Sequence, residues 1–225
     1  MKRAQQGFTL VEIAIVLVII WLLLGGIVKG QEMIVQAKIK NVVADFSGIS
    51  AAYYGYQDRY RAIPGDDVNA GTRWATLPAA VAGDGNGTVA GTYNAACATA
   101  ADETCQWWDH LRRAGFVSGS GKTQPYNAAT GLLGVQTGDG QATVGPTLLN
   151  LAGGNGFSGL IVCSANLPDK IAIAVDTQMD DGASNVGTVR GLLQTSPNPT
   201  LGATQVATLA YGETGTNTYL LCRSL

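Results

Sequence analysis

The stretch that most constrains this chain is residues 8–60, where an apolar run passes into an amphipathic one with no helix breaker between them. Residues 8–28 contain a single charge, Glu12. At about 1.5 Å per residue, such a helix spans a hydrocarbon core of about 30 Å. Lys2 and Arg3 precede the run and no acid does. The positive-inside rule therefore leaves the N-terminus cytoplasmic and sends everything after Lys29 outward.

From Val35 the apolar positions Val35, Ile39, Val42, Phe46, Ile49, Tyr53, Tyr56 and Tyr60 keep a 4-3-4-3 spacing, which draws one continuous seam along a helix. Gln36, Lys38, Lys40, Asn41, Asp45, Gln57 and Asp58 lie between them and suit a solvated face. Pro64-Gly65 stops the pattern. The predicted helix, residues 8–61, would be roughly 80 Å long, far more than a bilayer needs. Gly25, Gly26 and Gly30 each cost about 1 kcal/mol relative to Ala, so its weakest point is expected there.

Three readings compete for the apolar run. A secretory signal peptide needs a shorter stretch and a small-x-small cleavage site, and residues 25–31 offer no Ala-x-Ala. A plain anchor leaves Glu12 unexplained, because an acid in an apolar span costs on the order of 2 to 3 kcal/mol on insertion scales and usually has a partner. The third rests on Lys2-Arg3-Ala4-Gln5-Gln6-Gly7 followed by Phe8-Thr9-Leu10-Val11-Glu12. This resembles the leader and cleavage signal of the type IV pilin family. The resemblance implies that residues 1–7 are a leader removed by prepilin peptidase, with the cut after Gly7 and N-methylation of the new terminal Phe8.

Cutting there creates an α-amine on Phe8, largely cationic near neutral pH. Glu12 lies about 6 Å further along the helix axis. A neighbouring subunit shifted by that much brings its amine level with this carboxylate and pairs two charges in a poorly solvated setting. Phe8 and Glu12 are thus expected to act in assembly.

Residues 62–225 form the exported domain in this reading. Thirty glycines and 13% charged residues describe a loop-rich domain with a lightly charged surface. The net charge of −2 becomes −4 once Lys2 and Arg3 are cut away, which disfavours generic nucleic-acid binding. Residues 65–100, with Gly83-Asp84-Gly85-Asn86-Gly87, read as a long excursion. A short helix is predicted over 106–116, carrying Trp107, Trp108, Leu111, Ala114 and Phe116 and stopping before Gly119. Residues 159–163, 170–176, 204–210 and 217–223 are β-rich runs whose order points to an antiparallel meander.

Four cysteines allow three connectivities. Grouping within subregions favours Cys97 with Cys105 and Cys163 with Cys222, and an exported compartment permits both bridges. Chain-entropy closure is worth about 2.6 kcal/mol for the short loop and about 4 kcal/mol for the long one.

Residues 62–66, 108–119 and 180–190 are also similar to segments of prepilin-type proteins. The fold class implied is α+β, a long N-terminal helix packed on a C-terminal antiparallel sheet. Gly121-Lys122-Thr123 imitates the end of a phosphate loop, but the required first Gly falls on Phe116. His110, the single histidine, is read as a surface residue of the Trp107 helix. Zinc is not expected, because no histidine pairs with the cysteines at ligand spacing. Calcium stays open as the one cofactor. Asp84-x-Asn86 begins like an EF-hand loop but places Val89 where the turn glycine belongs, and Asp180 with Asp181 supplies further hard oxygens. Some secretion pseudopilins of the family bind calcium in their sheet loops, although turn chemistry alone accounts for both Asp-Gly pairs.

The functional expectation is a non-enzymatic subunit of a type IV pilus-like filament. Its partners are copies of itself or other pilins, prepilin peptidase and an inner-membrane assembly platform, with no nucleic acid. It starts as a single-pass protein of the bacterial inner membrane with a periplasmic domain and ends in a periplasmic or surface filament. The alternative is a pseudopilin of a type II secretion system. A membrane-anchored periplasmic enzyme lacks a convergent acid, base or nucleophile set, and a DNA-uptake pilin lacks a basic stripe beyond Arg112, Arg113 and Lys122.

Overall fold

The computed structural model describes residues 9–97, 102–138, 156–201, 208 and 210–225. The chain divides into two units, Met1–Lys38 and Ile39–Leu225, which are taken separately. The helix α1 (Leu10–Tyr60) crosses that boundary in sequence. In the first unit it is helical through Gly25, Gly26 and Gly30, and its apolar side chains from Leu10 to Ile34 are exposed.

In the second unit the seam is buried at Ile39, Val42, Phe46, Ile49, Tyr53 and Tyr56, with Tyr60 half-buried at its end. Arg61 turns into the left-handed region (φ 53°) and ends the helix, three residues before the proline. A short helix, α2 (Ala70–Arg73), follows, and the next helix in sequence is α3 (Glu103–Arg113).

The boundaries of α3 differ from the sequence reading at both ends. Asp102 takes an extended N-cap conformation and starts the helix one turn early. Gly115 at φ 80° stops it before Phe116: the Gly115 N–H donates to the Arg112 carbonyl and the Phe116 N–H to the Leu111 carbonyl, the two bonds of a Schellman cap.

Among the described residues four strands form one sheet: β1 (Leu133–Thr137), β2 (Leu160–Pro168), β3 (Val189–Leu193) and β4 (Thr218–Ser224). The order is β1-β2-β4-β3 with every pair antiparallel. The sheet is therefore not the sequential meander read from the chain. Residues 170–176, expected as a strand, lie in the helix α4 (Asp169–Met179). Their alternation hides a helical stripe, since the buried apolar residues are Ile171, Ala172 and Val175. Because β2 and β3 both run against β4, they point the same way, and same-direction strands need a crossover connection. The helix α4 supplies it and packs against β2, β3 and β4. The run 204–210 lies outside the described residues except for Thr208 and Ala210.

Register puts Ile161, Cys163, Ala165, Leu220 and Cys222 on one face, where they form a core with Tyr93, Phe157 and Leu201. Leu133 lies on the other face and lines a recess with Ile49 of α1 and Trp108 of α3. The chain is thus α+β, a long N-terminal helix with an antiparallel sheet. Gly134 in β1 allows the Tyr93 carbonyl to approach, since a Cβ there would come within 1.9 Å of that oxygen. The cysteines are joined Cys97–Cys105 and Cys163–Cys222, the second pair facing each other across β2 and β4.

Candidate assembly site

Gly7 and Phe8, the expected processing pair, lie outside the described residues. Thr9 and Glu12 are described, and they answer each other across the first turn of α1. The Thr9 N–H and hydroxyl both donate to Glu12 Oε2 at 2.8 Å, and the Glu12 N–H donates back to Thr9 Oγ1 at 3.3 Å. This is a capping box: Thr9 is the N-cap, Glu12 the third helical residue, and two N–H groups that the helix leaves without partners are satisfied. The sequence reading missed Thr9, although Thr-x-x-Glu before an apolar run is its local signal. Glu12 thus has a partner within its own chain.

Beyond this cap the helix is apolar on all sides. Leu10 is 87% exposed and Trp21 82%, and the helix is long and apolar enough to cross a membrane. Such surface without a protein partner calls for lipid or other helices around it. Lys29 and Glu32, both exposed, close the apolar stretch with an ion pair at 2.7 Å.

In the second unit, α1 is held by a polar anchor as well as by its seam. Tyr56 donates its hydroxyl to Asp67 Oδ2 at 2.6 Å, and the Arg73 guanidinium reaches the same oxygen. The Asn69 N–H donates to Asp67 Oδ1. Burial alone would raise the Asp67 carboxyl, but Arg73 and Tyr56 win and hold it below the usual carboxylate range. Burial, with Asp67 beside it, keeps the Tyr56 hydroxyl protonated far into the alkaline range.

His110 is not the surface residue expected from its helix. It is fully buried and stacked on Tyr56, with Nδ1 accepting from the Gly65 N–H at 2.9 Å and Nε2 donating to the Val81 carbonyl at 2.8 Å. These partners come from 45 and 29 residues away, beyond the reach of helical periodicity. Burial pushes its pKa below the ordinary histidine value.

The four calcium candidates fall into two acidic clusters. Asp84 stands with Asp66 and Glu103. There the oxygens already serve the backbone: Asp66 accepts the Gly85, Asn86 and Gly87 amides, and Glu103 accepts those of Asp84 and Ala90. The Asn86 side chain bonds Asp84 and Thr88. These residues shape a turn.

Asp180 and Asp181 stand with Asp176, which is fully buried. Asp176 Oδ2 accepts the Tyr211 hydroxyl, while Oδ1 has no hydrogen-bond partner among the described residues. Burial pushes the Asp176 carboxyl up to about 6, opposed by Tyr211 and the Gly182 amide and reinforced by Asp181 and Asp180. Asp180 Oδ2 accepts the Thr188 and Val189 amides, and Asp181 Oδ1 that of Ala183. The orphaned oxygen fits a hard cation here, in contrast to the other cluster. Nothing local in the sequence marks Asp176 or Tyr211.

Comparison with curated proteins and with solved structures gives no significant match. Residues 2–28 match the family model of the prokaryotic N-terminal methylation motif. The matched span covers Gly7, Phe8 and the Thr9–Glu12 cap and runs to the end of the apolar stretch. This chain therefore carries at its N-terminus the signal of the type IV pilins and pseudopilins.

Proposed function

We propose that this protein is a structural subunit of a type IV pilus-like filament, held in the inner membrane by residues 8–28 before assembly, with residues 62–225 on the periplasmic side. The methylation motif at residues 2–28 carries this reading. Supporting it is the exterior of the helix from Leu10 to Val28, apolar apart from Glu12, a surface suited first to lipid and then to the helices of neighbours.

In this account Glu12 has two tasks, and they use different oxygens. Oε2 closes the cap with Thr9. Oε1 remains for the Phe8 amine of an incoming subunit, a charge-assisted hydrogen bond that forms only on docking. Removing one partner of such a buried pair costs about 3 to 5 kcal/mol. A type II secretion pseudopilin shares the same signal; purification of surface filaments and identification of their main band separates the two.

The processing step gives the direct test. The N-terminal peptide of mature protein should begin at Phe8 and carry one methyl group in mass spectrometry, and Gly7→Ala should leave unprocessed protein in the membrane. Mature filament protein that still begins at Met1 would contradict the proposal.

A further inference from the structure

We propose that Asp176, Asp180 and Asp181 bind a divalent cation, Ca²⁺ by preference, at the C-terminal end of α4. One carboxylate oxygen from each lies within 4.8 Å of the others, a separation that an ion with oxygen ligands at about 2.3 to 2.6 Å can span. The three residues differ in exposure: Asp176 is buried, Asp180 half-buried and Asp181 exposed. The site thus has a floor and an open side through which an ion and its waters can enter.

Two observations separate this cluster from a casual group of surface acids. The first is Asp176 Oδ1, a buried oxygen without a hydrogen-bond partner among the described residues. Buried carboxylates are ordinarily satisfied, and an uncompensated one is costly. The Asp66, Asp84 and Glu103 cluster in the same molecule shows the ordinary outcome, with backbone amides on its carboxylates.

The second is the position. The carboxyl end of a helix carries partial negative charge and favours cations, yet α4 has no basic residue in its last turn and three acids at or beside it. Arg190 is near enough to feel the charge of Asp180, and its guanidinium lies 4.5 Å over the Phe157 ring. One guanidinium does not balance three carboxylates and a helix end. A divalent ion does.

The remaining bonds leave ligand atoms available. Asp180 uses Oδ2 for the Thr188 and Val189 amides at the start of β3, and Asp181 uses Oδ1 for Ala183. A bound ion would tie the end of α4 to the segment that enters β3, with waters completing its six to eight oxygens.

The test uses the full-length protein in detergent. Ca²⁺ at about a hundredfold excess over its dissociation constant should raise the Tm by roughly 5 to 10 °C. Tyr211 donates to Asp176, so its ring is placed to sensitise Tb³⁺ luminescence, which Ca²⁺ should quench by displacement. Asp181→Asn, at an exposed position, should keep the fold and weaken Tb³⁺ binding at least tenfold; Asp176→Asn should abolish it. Asp84→Asn should leave the response intact. The proposal is overturned by a wild type that shows neither a Tm rise nor Ca²⁺-displaceable luminescence. It is equally overturned by an undiminished response in Asp181→Asn, or by a response lost in Asp84→Asn instead.

Discussion

The two stretches of α1 belong to one helix by backbone hydrogen bonding and to two environments by side chain. From Leu10 to Ile34 the large apolar residues are exposed, whichever way they point. From Ile39 to Tyr56 they form one narrow buried seam, and Lys40, Asn41 and Asp58 lie outside it in water. A periodic seam names its partner within the same chain, because the spacing matches one face of one helix. An apolar run without a period names no face, and its partner comes from outside the fold.

The largest test of that contrast pairs two deletions. Phe46→Ala empties a fully buried position and should cost about 3 to 5 kcal/mol, lowering the Tm of the second unit by about 10 °C or more. Leu17→Ala also truncates a large apolar side chain, at a position 57% exposed, and should leave that Tm unchanged in detergent. Equal losses in thermal unfolding would break the distinction between the stretches.

Tyr56→Phe sharpens it at smaller scale. The seam packing stays, but Asp67 Oδ2 loses its hydroxyl donor while buried. The expected cost is about 1 to 3 kcal/mol by denaturant titration. A neutral result would mean that Arg73 alone satisfies that oxygen.

The pH dependence of His110 is smaller still. Its folded pKa is depressed, so below about 6.5 the unfolded chain takes up a proton that the folded chain resists, and stability falls as pH falls. The slope from this residue reaches at most about 1.4 kcal/mol per pH unit, down to the folded pKa. Asp176, held up near 6, titrates in the opposite sense over part of this range. The His110 share is therefore read as the difference in slope between wild type and His110→Gln, and identical slopes would contradict it.

What the sequence revealed follows the range of the interactions involved. The seam, the apolar run and the strand cores at 159–163 and 217–223 are local patterns, and each is found in place. The stretch 170–176 is ambiguous because Ile-Ala-Ile-Ala-Val satisfies periods of both 2 and 3.6, and only the direction of β4 between its neighbours calls for a crossover there. The strand β1 was missed because Gly134 interrupts its apolar run for the sake of the Tyr93 carbonyl. His110 and Asp176 were invisible as special residues, since their surroundings come from loops far away in sequence. Thr9 is legible, because the residue three positions before Glu12 is the local partner that a Thr-x-x-Glu pattern supplies.

That cap sets the decisive measurement, because it offers a rival explanation of Glu12. Glu12→Gln keeps an acceptor at the third helical position, so the capping box survives. It removes the charge that a neighbour's Phe8 amine requires. Incorporation of processed Glu12→Gln subunits into filaments, measured against membrane levels of the same protein, separates the two roles. If the charge pair drives docking, membrane levels should stay normal and incorporation should fall a hundredfold or more, the equivalent of about 3 kcal/mol. Assembly at the wild-type level would show that Glu12 serves the cap alone.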